Sequence, residues 1–541
     1  DLNLTGDWHQ GQSQSLFDSE QQDLSSNDAT YKLMADLIER FQEAKTFGSL
    51  IEVPNEWEAS LKALLETLTE LSNSGDMMQK AAAQRLVPIV QQAWVLAQRY
   101  EAVVANPPYM GSKYQTPAVK KYLKDAYKGY EKDLFSAYIV RNLDFAKEHG
   151  QLGFMTPFVW MFISSYEQLR KRLIEEDVIT SLIQLEYSGF DGATVPICTF
   201  TLSKGHIASY TGSYIRLSDF RGSANQGPKT LEAIQNRDCG WFYEAKPDDF
   251  KKIPGRPVAY WISTETKRAF SDNPSLNSVG KACAGHQTGD NDLLLKQWFE
   301  ISFSEIGFDI ESRDQAKNTG YKWFPHRKGG SFRRWYGNYD YVINWLNDGE
   351  AVRKHPSSAL RNPEFMFKPG VTWSHTSSGV FSARLSKIGD TFNVEGPTFF
   401  SEDIEVSLGY LCSSVALHFM QIMNPTLHFL VGSVSQLPFK NIERVLLDSI
   451  RTDVRELVEI GKFDWNSSEI SFDFRKPNLL DKDFVSSELR ASYSAALIRW
   501  IDITSRMQSL EKDNNQLFIE AYGLNGELSP EAPLHQVTLN C

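Results

Sequence analysis

Asn106-Pro107-Pro108-Tyr109 constrains the fold of this chain more than any other segment. It follows an apolar run, Tyr100 to Ala105 (YEAVVA), that reads as a short buried strand. Two prolines directly after a strand end sheet pairing and hold the backbone in an extended turn. The turn brings a carboxamide, a proline carbonyl and an aromatic ring to the strand's C-terminal end, the edge where open α/β sheets bind ligands. An amide oxygen and a carbonyl can both accept hydrogen bonds from one NH2 group while the ring stacks on the flat system that carries it. The pattern therefore points to chemistry on a planar exocyclic amine.

The surroundings of the turn alternate between strands and helices. A basic helical stretch follows it, then a helix over 131–149 stopped by Gly150, a strand at 151–156, a helix at 164–176, and strands at 178–187 and 196–203. This alternation predicts a doubly wound α/β sheet. Ahead of it, apolar residues recur at helical spacing over 29–43 and 57–97, with Phe47 to Ile51 reading as a short strand between them. Residues 1–30 are a polar lead-in. Beyond about 210 the chain is rich in Trp, Tyr, Gly and Asn, with short runs and many turn signals, which reads as an irregular α+β segment to about 440. The last hundred residues turn helical again, with a long helix from about Phe484 to Tyr522 ended by Gly523. The expected domains are 1–99, 100–210, 211–440 and 441–541, because 541 residues exceed one ordinary core.

Composition narrows the function classes. Apolar residues at 41% and charged residues at 23% are those of a globular protein, and no run of 18 apolar residues predicts a membrane span. The five cysteines are scattered without a CxxC pair, which predicts reduced thiols in a cytoplasmic protein. His286 and His375 have no partners at metal-ligand spacing, so no metal site is expected. The net charge of −12 is unevenly spread. Residues 1–100 hold 15 acids against 7 bases, whereas 313–338 hold 7 bases against one acid and 112–132 hold six lysines against two acids. Phosphate binding depends on the local field, so either basic segment suits a nucleic-acid partner.

Several segments together resemble one family. They are Asn106-Pro107-Pro108-Tyr109-Met110-Gly111, Lys132-Asp133-Leu134-Phe135, Leu152-Gly153-Phe154-Met155-Thr156-Pro157 and Gly285-His286-Gln287-Thr288-Gly289-Asp290-Asn291. Lys328-Gly329-Gly330 with Arg334-Trp335-Tyr336-Gly337-Asn338, Asn424-Pro425-Thr426 and Phe518-Ile519-Glu520-Ala521-Tyr522-Gly523-Leu524 complete the set, in order from about 100 to 530. The chain resembles the adenine-specific DNA methyltransferases of BREX phage-defence systems, the PglX family, which are related to the fused restriction-modification enzymes. The resemblance implies a partial Rossmann-like class I methyltransferase sheet, then an α+β target-recognition domain and a helical C-terminal region.

It also implies roles for particular residues. Asn106 and the Pro107 carbonyl would accept hydrogen bonds from the N6 amine of an adenine flipped out of double-stranded DNA, and Tyr109 would stack on the base. Asp133 would border the target pocket, although a helix N-cap reads equally well there. Phe190 is either the second face of a base sandwich or a core aromatic. Arg327, Lys328, Arg333, Arg334, Asn338 and Arg384 are the candidates for phosphates and base edges, and Trp335 and Tyr336 read as core. The family carries a glycine-rich S-adenosylmethionine loop of the D-P-A-C-G-S-G type before its NPPY turn. Residues 1–105 hold nothing like it, so the loop is expected upstream of this chain. Other BREX proteins are the implied partners. Two alternatives stay open: a non-catalytic DNA-recognition and docking module, and the methyltransferase-specificity part of a fused restriction-modification enzyme. A glutamine or RNA methyltransferase would not need so large a basic, aromatic segment after the sheet.

Overall fold

The computed structural model describes residues 24–187, 189, 195–377, 380–424, 428–480 and 485–539. The lead-in at 1–23, Phe190, and Pro425 and Thr426 lie outside them. The chain divides into two compact units, Asp1–Lys251 and Lys252–Cys541.

The first unit opens with helices α1 (Leu24–Phe41), α2 (Glu58–Ser74) and α3 (Met77–Ala97). Their apolar stripes share one core of Leu37, Phe41, Leu61, Leu64, Leu68, Leu86 and Val90. The helical stretch expected over 57–97 is broken at Gly75-Asp76. There Asp76 accepts from the Met78 and Gln79 amides, and Gln79 accepts from the Asp76 amide, a reciprocal cap that starts a new helix. Phe47 to Ile51 is not a strand. Ala44–Phe47 is helical and Gly48–Leu50 forms a tight turn, with Gly48 at φ 54° and the Ile51 amide donating to the Gly48 carbonyl.

A six-stranded sheet follows: β1 (Tyr100–Ala105), β2 (Ala146–Pro157), β3 (Val178–Gln184), β4 (Ile197–Ser203), β5 (Gly212–Arg216) and β6 (Phe242–Ala245), in spatial order β1-β2-β4-β3-β5-β6. The β1–β2 and β3–β5 pairs are parallel; β2–β4, β3–β4 and β5–β6 are antiparallel. Helices α4 (Pro117–Ala126), α5 (Leu134–Phe145), α6 (Glu167–Glu175) and α7 (Ser223–Gln235) complete a partial Rossmann-like α/β layer. Helix α5 packs on β1 and β2, and α6 on β3. One face of the sheet, carrying Leu152, Phe154, Leu182, Phe200, Leu202 and Tyr214, is buried. The other is closed at the β3–β5 end, where Ala233 of α7 joins Ile215, Ile183 and Met155.

Three expectations are corrected here. The helix read over 131–149 is α5, Leu134–Phe145, and residues 146–150 begin β2: Ala146 already pairs with Tyr100, and His149 adopts φ 61°, which no helix accommodates. The sheet does not close at 203, and no break falls at 210, because β5 and β6 extend it to 245. The strand before NPPY is not buried in the sheet. Among the described residues it is an edge strand, and Val104 is 87% exposed.

The second unit holds two four-stranded sheets. One runs β13 (Thr391–Phe392), β9 (Trp323–Arg327), β10 (Tyr341–Asn344), β8 (Leu295–Gln297); the other runs β12 (Ala383–Ser386), β11 (Gly370–Trp373), β14 (Thr398–Ser401), β7 (Gly280–Cys283). Helices α8 (Thr264–Asp272), α9 (Ile404–Cys412), α10 (Ser414–Met423), α11 (Arg444–Asn466) and α12 (Leu489–Tyr522) surround them, and Gly523 ends α12 in the left-handed conformation at φ 71°. Trp335, Tyr339, Trp373, Phe399, Tyr410, Phe419, Leu457, Met507 and Phe518 share one core. The C-terminal helices therefore do not stand apart as 441–541. They bury their apolar faces against the strands of 252–440.

Candidate active site

The backbone leaves β1 at Ala105 and turns through the two prolines. Asn106 is exposed, Pro107 buried and Tyr109 39% exposed. The Tyr109 hydroxyl lies 3.1 Å from Asn106 Oδ1 and 3.2 Å from the Met155 carbonyl of β2 and donates to them. That contact holds the carboxamide against the adjacent strand and leaves the second lone pair of Oδ1 unused. Among the described residues no donor reaches the Pro107 carbonyl. The Tyr109 ring meets Phe135 edge-on with centroids 6.5 Å apart, and Phe135 packs on Tyr166 at 5.4 Å. Burial pushes the Tyr109 phenol up from its ordinary range, so it remains a donor at neutral pH.

The rest of the turn is stapled to α5. The Met110 amide donates to Asp133 Oδ1 at 2.8 Å, the Leu134 amide to the Met110 carbonyl at 3.1 Å, and the Ser112 amide to the Lys132 carbonyl at 2.9 Å. The same Asp133 oxygen accepts from Phe135 N as the N-cap of α5. Burial raises the Asp133 carboxyl, and the backbone amides of Met110 and Phe135 work against that rise. Of the two readings of Asp133, the local one describes its contacts. It ties the turn to the helix and positions Asn106 and Tyr109 through the backbone.

The two basic segments part company. Lys113, Lys120, Lys121, Lys124, Lys128 and Lys132 are all exposed, and none forms an ion pair among the described residues. They follow directly on the NPPY turn, four of them on or just beyond α4, with the 74% exposed Tyr114 among them. The second segment turns inward.

Arg327, Arg333, Arg334, Asn338 and Arg384, the residues expected to meet DNA, are buried in the second unit. Arg327 pairs with Asp390 at 3.4 Å, donates to the Gly337 and Leu385 carbonyls and lies 3.6 Å over the Tyr339 ring. Arg333 pairs with Asp464 of α11 at 3.0 Å, and Arg334 with Glu511 of α12 at 3.3 Å. Arg384 donates to the Arg333 carbonyl and Ser374 Oγ, and burial pushes its guanidinium down to about 9. Asn338, at φ 56°, donates to the Ser331 carbonyl. Of the six candidates, Lys328 alone keeps partial exposure, with its ammonium 4.5 Å over Tyr341. The correction has a physical cause. The compensating acids lie 63 to 177 residues further along the chain, so the local charge count could not register them. Trp335 and Tyr336 are core, and His286 is buried against His326 with ring centroids 5.0 Å apart.

The sequence model of the Eco57I restriction-modification methylase family matches residues 15–190, a span that contains β1 and the NPPY turn. The chain is 34% identical over 525 residues to the adenine-specific methyltransferase BrxX of Escherichia coli O9:H4 (strain HS), covering 95% of this chain and 41% of that protein. It is 31% identical over 523 residues to the adenine-specific methyltransferase PglX of Lacticaseibacillus casei (strain Zhang), covering 92% of this chain and 43% of that protein. Among solved structures, the DNA complex of the Type IIL restriction-modification enzyme MmeI covers 93% of this chain and 76% of its own at 10% identity, with a TM-score of 0.47. Over nearly its whole length the chain is similar to the adenine-specific methyltransferases BrxX and PglX, and it spans about two fifths of theirs.

Proposed function

We propose that this chain is the base-handling and DNA-recognition part of a site-specific DNA adenine-N6 methyltransferase of a BREX-type phage-defence system. One observation carries the reading. The spare lone pair of Asn106 Oδ1, which also accepts from the Tyr109 hydroxyl, and the Pro107 carbonyl, which no donor among the described residues reaches, stand at the C-terminal end of a parallel strand with the Tyr109 ring beside them. In adenine the N6 lone pair is delocalised into the ring. Two acceptors on its N–H groups draw the nitrogen toward a tetrahedral, nucleophilic geometry, and the ring supplies a stacking surface for a base everted from the duplex. Asp133 holds this turn in place from the N-terminus of α5.

The family implies S-adenosylmethionine as the methyl donor. The described residues do not form a site for it. Among the described residues β1 pairs only with β2, and no further strand borders the NPPY turn. That observation favours a second reading for the chain in isolation, a module that recognises DNA and docks partners without catalysing. Mapping adenine modification in genomic DNA decides the main point. Site-specific N6-methyladenine is expected in cells carrying the full gene and absent when it is deleted; an unchanged methylation map would rule the activity out.

The duplex contacts fall to the lysine face of α4. Reversing charge with Lys120→Glu, Lys121→Glu and Lys124→Glu is expected to weaken duplex binding. It should also lower the slope of log affinity against log salt by about one for each phosphate contact removed. A titration with an unchanged slope would take this face out of the interface.

A further inference from the structure

Tyr114 stands five residues beyond Tyr109 and is 74% exposed. Among the described residues its ring makes no aromatic contact and its hydroxyl has no hydrogen-bond partner; the Lys113 ammonium lies 5.9 Å from the ring centroid. The backbone beneath it is tied down at every step. The Ser112 amide donates to the Lys132 carbonyl at 2.9 Å, and the Tyr114 amide donates to the Gly111 carbonyl at 2.9 Å, closing a tight turn. Gln115 is buried and donates through Nε2 to the Met110 carbonyl at 3.2 Å. Thr116 Oγ1 then accepts from the Val119 amide at 3.3 Å and starts α4. The turn brings the chain back toward Met110, next to Tyr109, and holds the Tyr114 ring out in water with most of its apolar area uncovered.

A singly exposed apolar side chain needs no special cause, but the surroundings of this one are particular. Lys113, Lys120, Lys121 and Lys124 are exposed around it and form no ion pair among the described residues. Cations of that kind suit phosphates, and between the phosphates of a duplex the flat apolar surface on offer is the base stack. Of the aromatic residues between 106 and 135, Tyr109 and Tyr114 alone are exposed. Tyr109 is committed to the turn, because its hydroxyl leans on Asn106 Oδ1 and the Met155 carbonyl. Tyr114 carries no such restraint.

We infer that Tyr114 enters the DNA base stack at the place the target adenine vacates. The inference rests on the base-handling reading. An adenine drawn out to Asn106 and Tyr109 leaves a gap whose neighbouring bases and orphaned partner lose their stacking. A ring inserted there restores stacking and blocks the return of the adenine. Two aromatic rings on one short segment then divide the work: Tyr109 receives the base outside the duplex, and Tyr114 fills the hole inside it.

The test uses a protein of the relatives' full length and a duplex carrying a mapped methylation site. With 2-aminopurine in place of the target adenine, fluorescence is expected to rise on binding as that base leaves the stack. Tyr114→Ala should remove most of the rise and lower methylation of the ordinary duplex by about ten- to a hundredfold, the size of one lost stacking contact. Tyr114→Phe keeps the ring and should keep both signals. An abasic site opposite the target adenine removes the pairing that the ring helps to break, so on that duplex Tyr114→Ala should methylate within a few-fold of the unaltered protein. Full methylation of the ordinary duplex by Tyr114→Ala overturns the inference. Equal loss on the ordinary and abasic duplexes also overturns it, by giving Tyr114 a part in folding or in contact with another protein. The two readings fail separately. If Asn106→Ala kept full methylation while Tyr114→Ala lost it and was rescued by the abasic site, the base-handling reading of the turn would fall and the insertion would stand.

Discussion

Asn106→Ala, made in a protein of the relatives' full length, is expected to lower adenine-N6 methylation by about a hundred- to a thousandfold, the usual cost of removing one preorganised polar group at a reacting centre. Duplex affinity should stay within a few-fold, because phosphate contacts made elsewhere carry most of it. Asn106 is exposed and caps no helix, so the melting temperature should not move. Tyr109→Phe is the control. It keeps the ring and removes the hydroxyl that leans on Asn106 Oδ1 and the Met155 carbonyl, so it should lose less than Asn106→Ala. Methylation and duplex binding measured on the same preparations separate the outcomes. Equal loss of both by Asn106→Ala would mean that the turn is needed for folding and has no role in chemistry.

Glu511→Ala should produce the largest change in stability. The Glu511 carboxylate is 2% exposed, accepts from Trp335 Nε1 at 2.6 Å and pairs with Arg334 at 3.3 Å. Burial raises its carboxyl, and the Arg334 guanidinium opposes that rise. Removing the acid strands a buried guanidinium and an indole N–H, at a cost of about 3–5 kcal/mol. For a unit of this size that lowers the melting temperature by roughly 10 °C. The paired change Arg334→Met with Glu511→Leu removes both charges together and should recover most of the loss. Its duplex affinity should match that of the unaltered chain. A well-folded paired variant with weakened DNA binding would return Arg334 to the interface and contradict its buried placement.

These two experiments bear on the two kinds of site residue that the sequence proposed, and those kinds fared differently. The NPPY turn is a local device. Its prolines set their own φ angles, and its acceptors are placed by the strand just before it, so four residues and their neighbours suffice to describe it. The arginines at 327–334 look like a DNA-binding run only while their partners are unknown. Asp390, Asp464 and Glu511 reach them through folding and convert a surface charge run into the ionic interior of the second unit. Among the described residues no acid is brought to the lysines at 113–132, and they stay at the surface.

The sequence by itself determined the elements whose cause is local: the helices α1 to α3, the strand before the turn, the turn, and the glycine stop at the end of α12. Periodicity, prolines and caps act within a few residues, and they are written in the chain where they act. Only the tertiary structure decided which basic segment faces outward, that the sheet runs on through β5 and β6, that the C-terminal helices share a core with the strands before them, and that β1 is left with a bare edge. Those outcomes depend on which distant residues meet. Burial and charge compensation are properties of pairs, and a linear reading sees only one member of each pair at a time.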